Sequence, residues 1–212
     1  LYIEGISDSR RFMSSLRAAA RIKPVIALKV GRHAAGAEAS MSHTGALVGS
    51  DETFSAALSR SGVLRVQSVS QLFAAAKVLS RSHYRVASDR LVIITNGGGP
   101  GVMAADRAAD MGIELSQLSD QTMEQLNQVL PSVWSHGNPI DVIGDARADR
   151  YNAAMSATFK DEDVNAVFVI LTPQSMTDID LIAREVAKVS SHYDKPVYAS
   201  FMGEADVREG IE

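Results

Sequence analysis

Three stretches of this sequence carry residue types and spacings that could support chemistry. The first is Ser42-His43-Thr44-Gly45-Ala46-Leu47, a histidine among small residues. A neutral imidazole titrates near physiological pH and offers a nucleophilic nitrogen, provided the other ring nitrogen keeps its proton and donates it to an acceptor. Glu4 is the candidate acceptor, since it ends the first apolar run and adjacent parallel strands would bring it to the sheet edge where the His43 loop arrives. An isolated loop histidine is usually only solvated, and a carboxylate near a strand end is usually ordinary surface. The pairing is what makes nucleophilic chemistry at His43 worth considering.

The second stretch is Asn96-Gly97-Gly98-Gly99-Pro100-Gly101. Glycines allow backbone to approach a ligand closely, and a helix beginning near Pro100 would add partial positive charge. Together they form a cradle for phosphate or carboxylate. The spacing fits neither Gly-x-Gly-x-x-Gly nor a P-loop, and a tight strand-to-helix turn would use the same glycines. The third stretch, His136-Gly137-Asn138-Pro139-Ile140-Asp141, places an amide and a carboxylate in a turn-rich loop. His33, His83, His136 and His192 show no metal-ligand spacing, and no protein metal site is expected.

The elements that must position these loops alternate between strand and helix. Short β-rich runs read as strands over 1–6, 25–30, 63–66, 91–95, 164–171 and 197–201. Amphipathic stretches read as helices over 8–21, 51–61, 69–79, 102–111, 121–130, 151–159 and 179–189, and 31–49 reads as a loop. Ser50, Ser119 and Thr177-Asp178 supply capping oxygens. Apolar strands alternating with helices imply parallel sheets covered by helices. Ligands of such sheets bind beyond the carboxyl ends of the strands, where all three loops fall. The polar stretch 80–90 reads as a linker, giving two α/β units over 1–85 and 86–212.

Bulk properties narrow the class. The 212 residues are 46% hydrophobic and 22% charged, a balance that supports packed cores. A net charge of −4 gives no basic field for a nucleic acid. There is no cysteine, hence no disulfide or thiolate site, in keeping with a reducing, cytoplasmic setting. No apolar run approaches the roughly 20 residues that span a bilayer, so no membrane association is expected. A nucleotide-binding or receiver domain would call for a P-loop lysine or an acidic cluster at strand ends, and neither is seen. The opening at Leu1 and the end at Glu212 read as cuts within a longer polypeptide.

Taken together, the motifs resemble the NDP-forming acyl-CoA synthetases of the succinyl-CoA synthetase superfamily. Ser42 through Gly49 is similar to the family's phosphohistidine loop, Asn96 through Asp106 to its Asn-Gly-Gly-Gly-Pro-Gly signature, and Asn138 through Asp141 to its Asn-Pro-Ile-Asp signature. Tyr2 through Gly5 and Lys23 through Arg32 also look like this family.

The resemblance implies two flavodoxin-like units with helices on both faces, the first one incomplete at its N-terminus. It implies that His43 carries a phosphoryl group between acyl phosphate and nucleotide, with Glu4 orienting its ring. Asn96, Gly97, Gly98, Gly99 and Gly101 would bind phosphate, and Thr44, Gly45, Asn138 and Asp141 would line the acyl or phosphate pocket. Implied partners are acyl-CoA, phosphate, CoA, and ATP or ADP with Mg, together with a CoA-binding domain and an ATP-grasp domain of the same protein. Association into a homo-oligomer is a further expectation. Arrays of this kind also occur fused to a protein lysine acetyltransferase, so a non-catalytic acyl-CoA-sensing or scaffold role is the alternative.

Overall fold

The structure is a computed structural model that describes residues 1–44, 50–81, 90–203 and 207, the side chains of His43, Thr44 and Arg81 excepted. The chain divides into two compact units, Leu1–His83 and Tyr84–Glu212. Each is built on a purely parallel sheet.

In the first unit β1 (Tyr2–Ile3), β2 (Ile26–Lys29) and β3 (Leu64–Val66) lie in the order β1-β2-β3. Tyr2 pairs with Leu28, and Ala27 with Arg65. Helices α1 (Ser9–Ile22) and α3 (Asp51–Ser59) cover one face, where Ile3, Leu16, Ala27, Leu58 and Val63 are buried. Helix α4 (Val69–Arg81) packs on β2 and β3. Asp8 and Ser50 cap α1 and α3, their side chains accepting from Arg11 N–H and Thr53 N–H.

One element of this unit departs from the sequence reading. Where a continuous loop was expected over 31–49, residues Ala34–Thr44 form helix α2. Four alanines within that span favour a helix. Its small residues leave no apolar stripe, and that absence hid it. His43 therefore stands in the last turn of a helix. Gly31, at φ 70°, makes the sharp exit from β2.

In the second unit β4 (Leu91–Thr95), β5 (Ile140–Asp141), β6 (Ala166–Leu171) and β7 (Val197–Phe201) lie in the order β5-β4-β6-β7. The chain steps to one side of β4 and then crosses back over it, so the loops at its carboxyl end part to opposite faces. Alternation along the strands sorts the two layers. Val92, Ile94, Val167 and Val169 bury against α6 (Asp120–Val129), α7 (Ala148–Phe159) and α8 (Ile179–Ser190). Thr95, on the other face, meets α5 (Gly98–Asp110). Ser119 and Asp178 cap α6 and α8, as the sequence suggested. Strand β5 lay inside an expected loop. Two residues are too few to show a strand period.

Candidate functional site

In the second unit, the loop after β4 is built to bring bare backbone to the sheet edge. Thr95 turns the chain, its hydroxyl accepting from Gly97 N–H at 3.0 Å and donating to Gly97 O at 2.9 Å. Asn96 is 2% exposed and its carboxamide is spent on the neighbouring strand end. Its Nδ2 donates to Thr172 O at 2.8 Å, and its Oδ1 accepts from Thr172 N–H at 2.8 Å and from the Thr172 hydroxyl at 2.9 Å. Asn96 thus latches the end of β4 to the end of β6.

The four glycines answer different demands. A Cβ on Gly97 would lie 2.9 Å from the Thr172 hydroxyl, and one on Gly101 would lie 2.9 Å from Thr95 Cγ2. Both are therefore fixed by packing. Gly98 and Gly99 are exposed, and nothing lies within 4 Å of a Cβ placed on Gly99. Their N–H groups open α5 without a side-chain cap, and find no acceptor among the described residues. A helix start with exposed, unsatisfied amides favours an anion by about 0.3–1 kcal/mol, and by more where water is excluded.

Asp141 faces this start, with Oδ2 3.3 Å from where a Cβ of Gly98 would stand. Its Oδ1 accepts from Ile143 N–H at 2.8 Å, and its own N–H donates to the Ser135 hydroxyl at 2.8 Å. Ile143 holds φ 72°, a left-handed conformation that a β-branched residue rarely adopts. Arg150 on α7 keeps the loop in place by donating to Val142 O at 3.0 Å and pairing with Asp145. That pairing holds the Asp145 carboxyl below its ordinary range.

Asn138 goes elsewhere. Its Oδ1 accepts from Ile93 N–H at 3.0 Å, and its Nδ2 donates to Leu91 O at 2.8 Å and to Ser116 O at 3.1 Å. Strand β5 reaches only Ile94 and Thr95, so this carboxamide stands in for the missing peptide lower down β4. The structure brings Asp141 to Gly98 and leaves the Asn138 side chain in the sheet.

Two residues that the sequence reading passed over hold this site. Thr172 follows β6 directly, at the edge where ligands were expected, so its position was the available signal. Tyr151, fully buried on α7, donates to Ile170 O at 3.1 Å. Burial pushes its phenol well above the ordinary value, and the Asp141 charge adds to this, against a hydrogen bond from the Asn96 backbone. In the sequence it reads simply as one more core position.

In the first unit, Glu4 follows β1 at the carboxyl edge of the sheet. Its main-chain carbonyl accepts from Lys29 Nζ and from the Ser40 hydroxyl, each at 3.1 Å. Lys29 is 4% exposed, also donates to Val30 O, and lies 5.7 Å from the centre of the Phe54 ring. Burial lowers its pKa, opposed by the charge of Asp51 and assisted by Arg65. Arg65 on β3 pairs with Asp51 and also donates to Ser55, tying the start of α3 to the sheet. Expected site residue Gly45 and the side chains of His43 and Thr44 lie outside the described residues. Among the described residues no three His, Asp or Glu side chains gather as metal ligands, and no helix is long and apolar enough to cross a membrane.

Comparison with known proteins places this geometry. Residues 1–79 match the succinyl-CoA ligase like flavodoxin domain, and residues 91–212 match the ligase-CoA domain. The chain is 40% identical to the ADP-forming acetate–CoA ligase I of Archaeoglobus fulgidus, over 99% of this chain and 29% of that protein. It is 37% identical to the alpha subunit of the ADP-forming acetate–CoA ligase II of Pyrococcus furiosus, over 95% of this chain and 45% of that one. The solved acetyl-coenzyme A synthetase 1 of Ca. Korarchaeum cryptofilum, in complex with phosphate and ADP, superposes with a TM-score of 0.88 at 33% identity. That match covers 99% of this chain and 46% of the other. The chain thus spans less than half the length of these relatives. With both of its units matched by CoA-ligase family models and its fold shared with a solved synthetase, the chain belongs to the NDP-forming acyl-CoA synthetases of the succinyl-CoA ligase superfamily.

Proposed function

We propose that this chain is the ligase core of an NDP-forming acyl-CoA synthetase acting on acetate or a similar small acid, with His43 as the phosphoryl carrier. The observation that carries the reading is the pair of unsatisfied amides at Gly98 and Gly99, held in place by the latch between Asn96 and Thr172. They suit the phosphate that attacks acyl-CoA, a step that releases CoA thiol and leaves an acyl phosphate. A neutral His43 nitrogen then attacks phosphorus, the bond to the acyl oxygen breaks, and the carboxylate departs. The other ring nitrogen keeps its proton and donates it to Glu4, which offsets the positive charge that develops on the ring. A terminal oxygen of NDP finally attacks phosphorus, the phosphorus–nitrogen bond breaks, and NTP and free imidazole result.

Asp141 is assigned to the same pocket, beside the start of α5 at Gly98. Thr44 and Gly45 are assigned to the His43 side of the reaction. Asn96 and Asn138 act through the loops they hold. A CoA-binding domain and an ATP-grasp domain binding the nucleotide with Mg complete the reaction, and this chain spans only 29% of the Archaeoglobus fulgidus relative.

The test is intact mass, quenched in alkali because phosphohistidine is acid-labile. The protein is incubated with acetyl phosphate, or with Mg-ATP in the presence of an ATP-grasp domain. One added phosphoryl group that disappears in His43→Ala is the expected result. A folded protein that gains none would sink the carrier role and leave the acyl-CoA-sensing or scaffold reading.

A further inference from the structure

The functional reading uses Glu4 through its carboxylate, and its backbone carbonyl is held as well, by two side chains. The Glu4 carbonyl takes one hydrogen bond from Lys29, a neighbour on the adjacent strand, and one from Ser40 on α2. Both donors are buried, at 4% and 7% exposure. A lysine sunk among apolar side chains costs desolvation and is retained only where its donors are used. Here they are used on two main-chain carbonyls at the carboxyl edge of the sheet, Glu4 O and Val30 O. Ser40 lies three residues before His43 within α2, under one helical turn away. One carbonyl just beyond β1 is therefore shared between a lysine of β2 and the helix that carries His43. Phe54 of α3, stacked on Phe12 of α1, closes the apolar side of the lysine.

We propose that Lys29 and Ser40 are positioning residues that fasten the Glu4 backbone to α2 and so set the register between the Glu4 carboxylate and His43. The inference rests on the roles given above to Glu4 and His43. Neither residue touches substrate. Both act by removing freedom from the pair, and misplacement of such a pair by about 1 Å is enough to cost on the order of a hundredfold in rate.

Two measurements on Lys29→Met, Lys29→Arg and Ser40→Ala test it. The first is the rate at which His43 takes a phosphoryl group from acetyl phosphate. Lys29→Met, which keeps the apolar stem and removes the donors, is expected to lower the maximal rate at least tenfold while KM for acetyl phosphate stays within twofold. Ser40→Ala is expected to lower it severalfold, the double variant to fall short of the product of the two, and Lys29→Arg to recover part of the loss. A folded Lys29→Met that reacts at the unaltered rate overturns the inference. Should Lys29→Met fail to fold, the same criterion applies to Ser40→Ala.

The second measurement is independent of catalysis. In the 212-residue chain labelled with nitrogen-15 at its five histidines, the ring resonances of His43 are expected to shift in Lys29→Met and in Ser40→Ala. Those of His136 and His192 are expected to stay. Unmoved His43 resonances overturn the inference even where phosphorylation proceeds. A starting protein that never gains a phosphoryl group overturns only the carrier role, and the resonances then decide the positioning.

Discussion

The two units fasten their sheet edges in different ways. In the second, neutral carboxamides and a phenol hold the strand ends, and Arg150 steadies the loop after β5. Asn96 bridges two strand ends, Asn138 completes a strand edge, and Tyr151 ties α7 to the end of β6. These rest on a single large core cluster that includes Val92, Trp134, Met155 and Val189. In the first, charged groups are used: Lys29 on main-chain carbonyls, and Arg65 on Asp51. The core beneath them among the described residues is small, and α4 leaves Phe73 70% exposed. Buried charges give up more hydration than neutral groups, which offsets much of what their pairing returns. The same edge geometry is reached at unequal cost, and the first unit should be the weaker.

The sharpest way to break that contrast is Tyr151→Ala. Removing a fully buried aromatic side chain should cost about 3–5 kcal/mol, concentrated in the second unit. Trp134 is the one tryptophan and is buried in that unit, so its fluorescence reports the unit alone. In urea, circular dichroism of the unaltered chain is expected to begin its loss before tryptophan fluorescence does. In Tyr151→Ala the two transitions should draw together. Coincident transitions in the unaltered chain would mean that the units are equally stable.

Next in size is Gly101→Ala. The added methyl would lie 2.9 Å from Thr95 Cγ2 and 3.4 Å from Pro139 Cβ, and β4 and α5 would have to part. A cost of about 1–3 kcal/mol is expected from the urea midpoint, with weakened phosphate binding alongside it.

Asp161 probes a fastener of the second unit that does carry charge. It is 5% exposed, and burial alone would raise its pKa. Hydrogen bonds from Ser119 and Asp163 N–H and from the Ser119 and Thr122 hydroxyls outweigh that and lower it. Its folded pKa thus lies below the unfolded value of about 3.9. The stability it supplies is present above that value and is lost as pH falls through the folded pKa. Asp161→Asn should cost about 1 kcal/mol at pH 7, and its urea midpoint should fall less steeply than that of the unaltered chain below about pH 4.

The smallest expected effect is that of Gly99→Ala. A methyl there meets open space and favours the helix, so stability should rise by at most about 1 kcal/mol. The N–H remains, and phosphate affinity measured by calorimetry should be retained. A large loss would mean that the ligand packs against the glycine itself.

Most strands and helices were legible in the sequence because each carries its own local signal. Val, Ile and Leu fill short runs such as Leu91–Thr95, amphipathic stripes mark α1 and α8, and Ser50, Ser119 and Asp178 mark three helix starts. The order of the motifs, read by resemblance, likewise pointed to the family. Helix α2 and strand β5 escaped because alanine-rich helices show no stripe and two-residue strands show no alternation.

The division within the site has the same origin. Sequence alone picked out the Asn96–Gly101 loop, Asp141 and Glu4 as chemistry-bearing, since residue type and strand-end position are local properties. It could not separate Gly97 and Gly101, fixed by packing, from Gly98 and Gly99, left exposed at the start of α5. Nor could it tell that Asn138 serves β4, that Thr172 answers Asn96, or that Lys29 and Ser40 meet at one carbonyl. Those pairings join residues far apart in the chain. They exist only once parallel strands have set their register, because register is what decides which distant groups come within hydrogen-bonding reach.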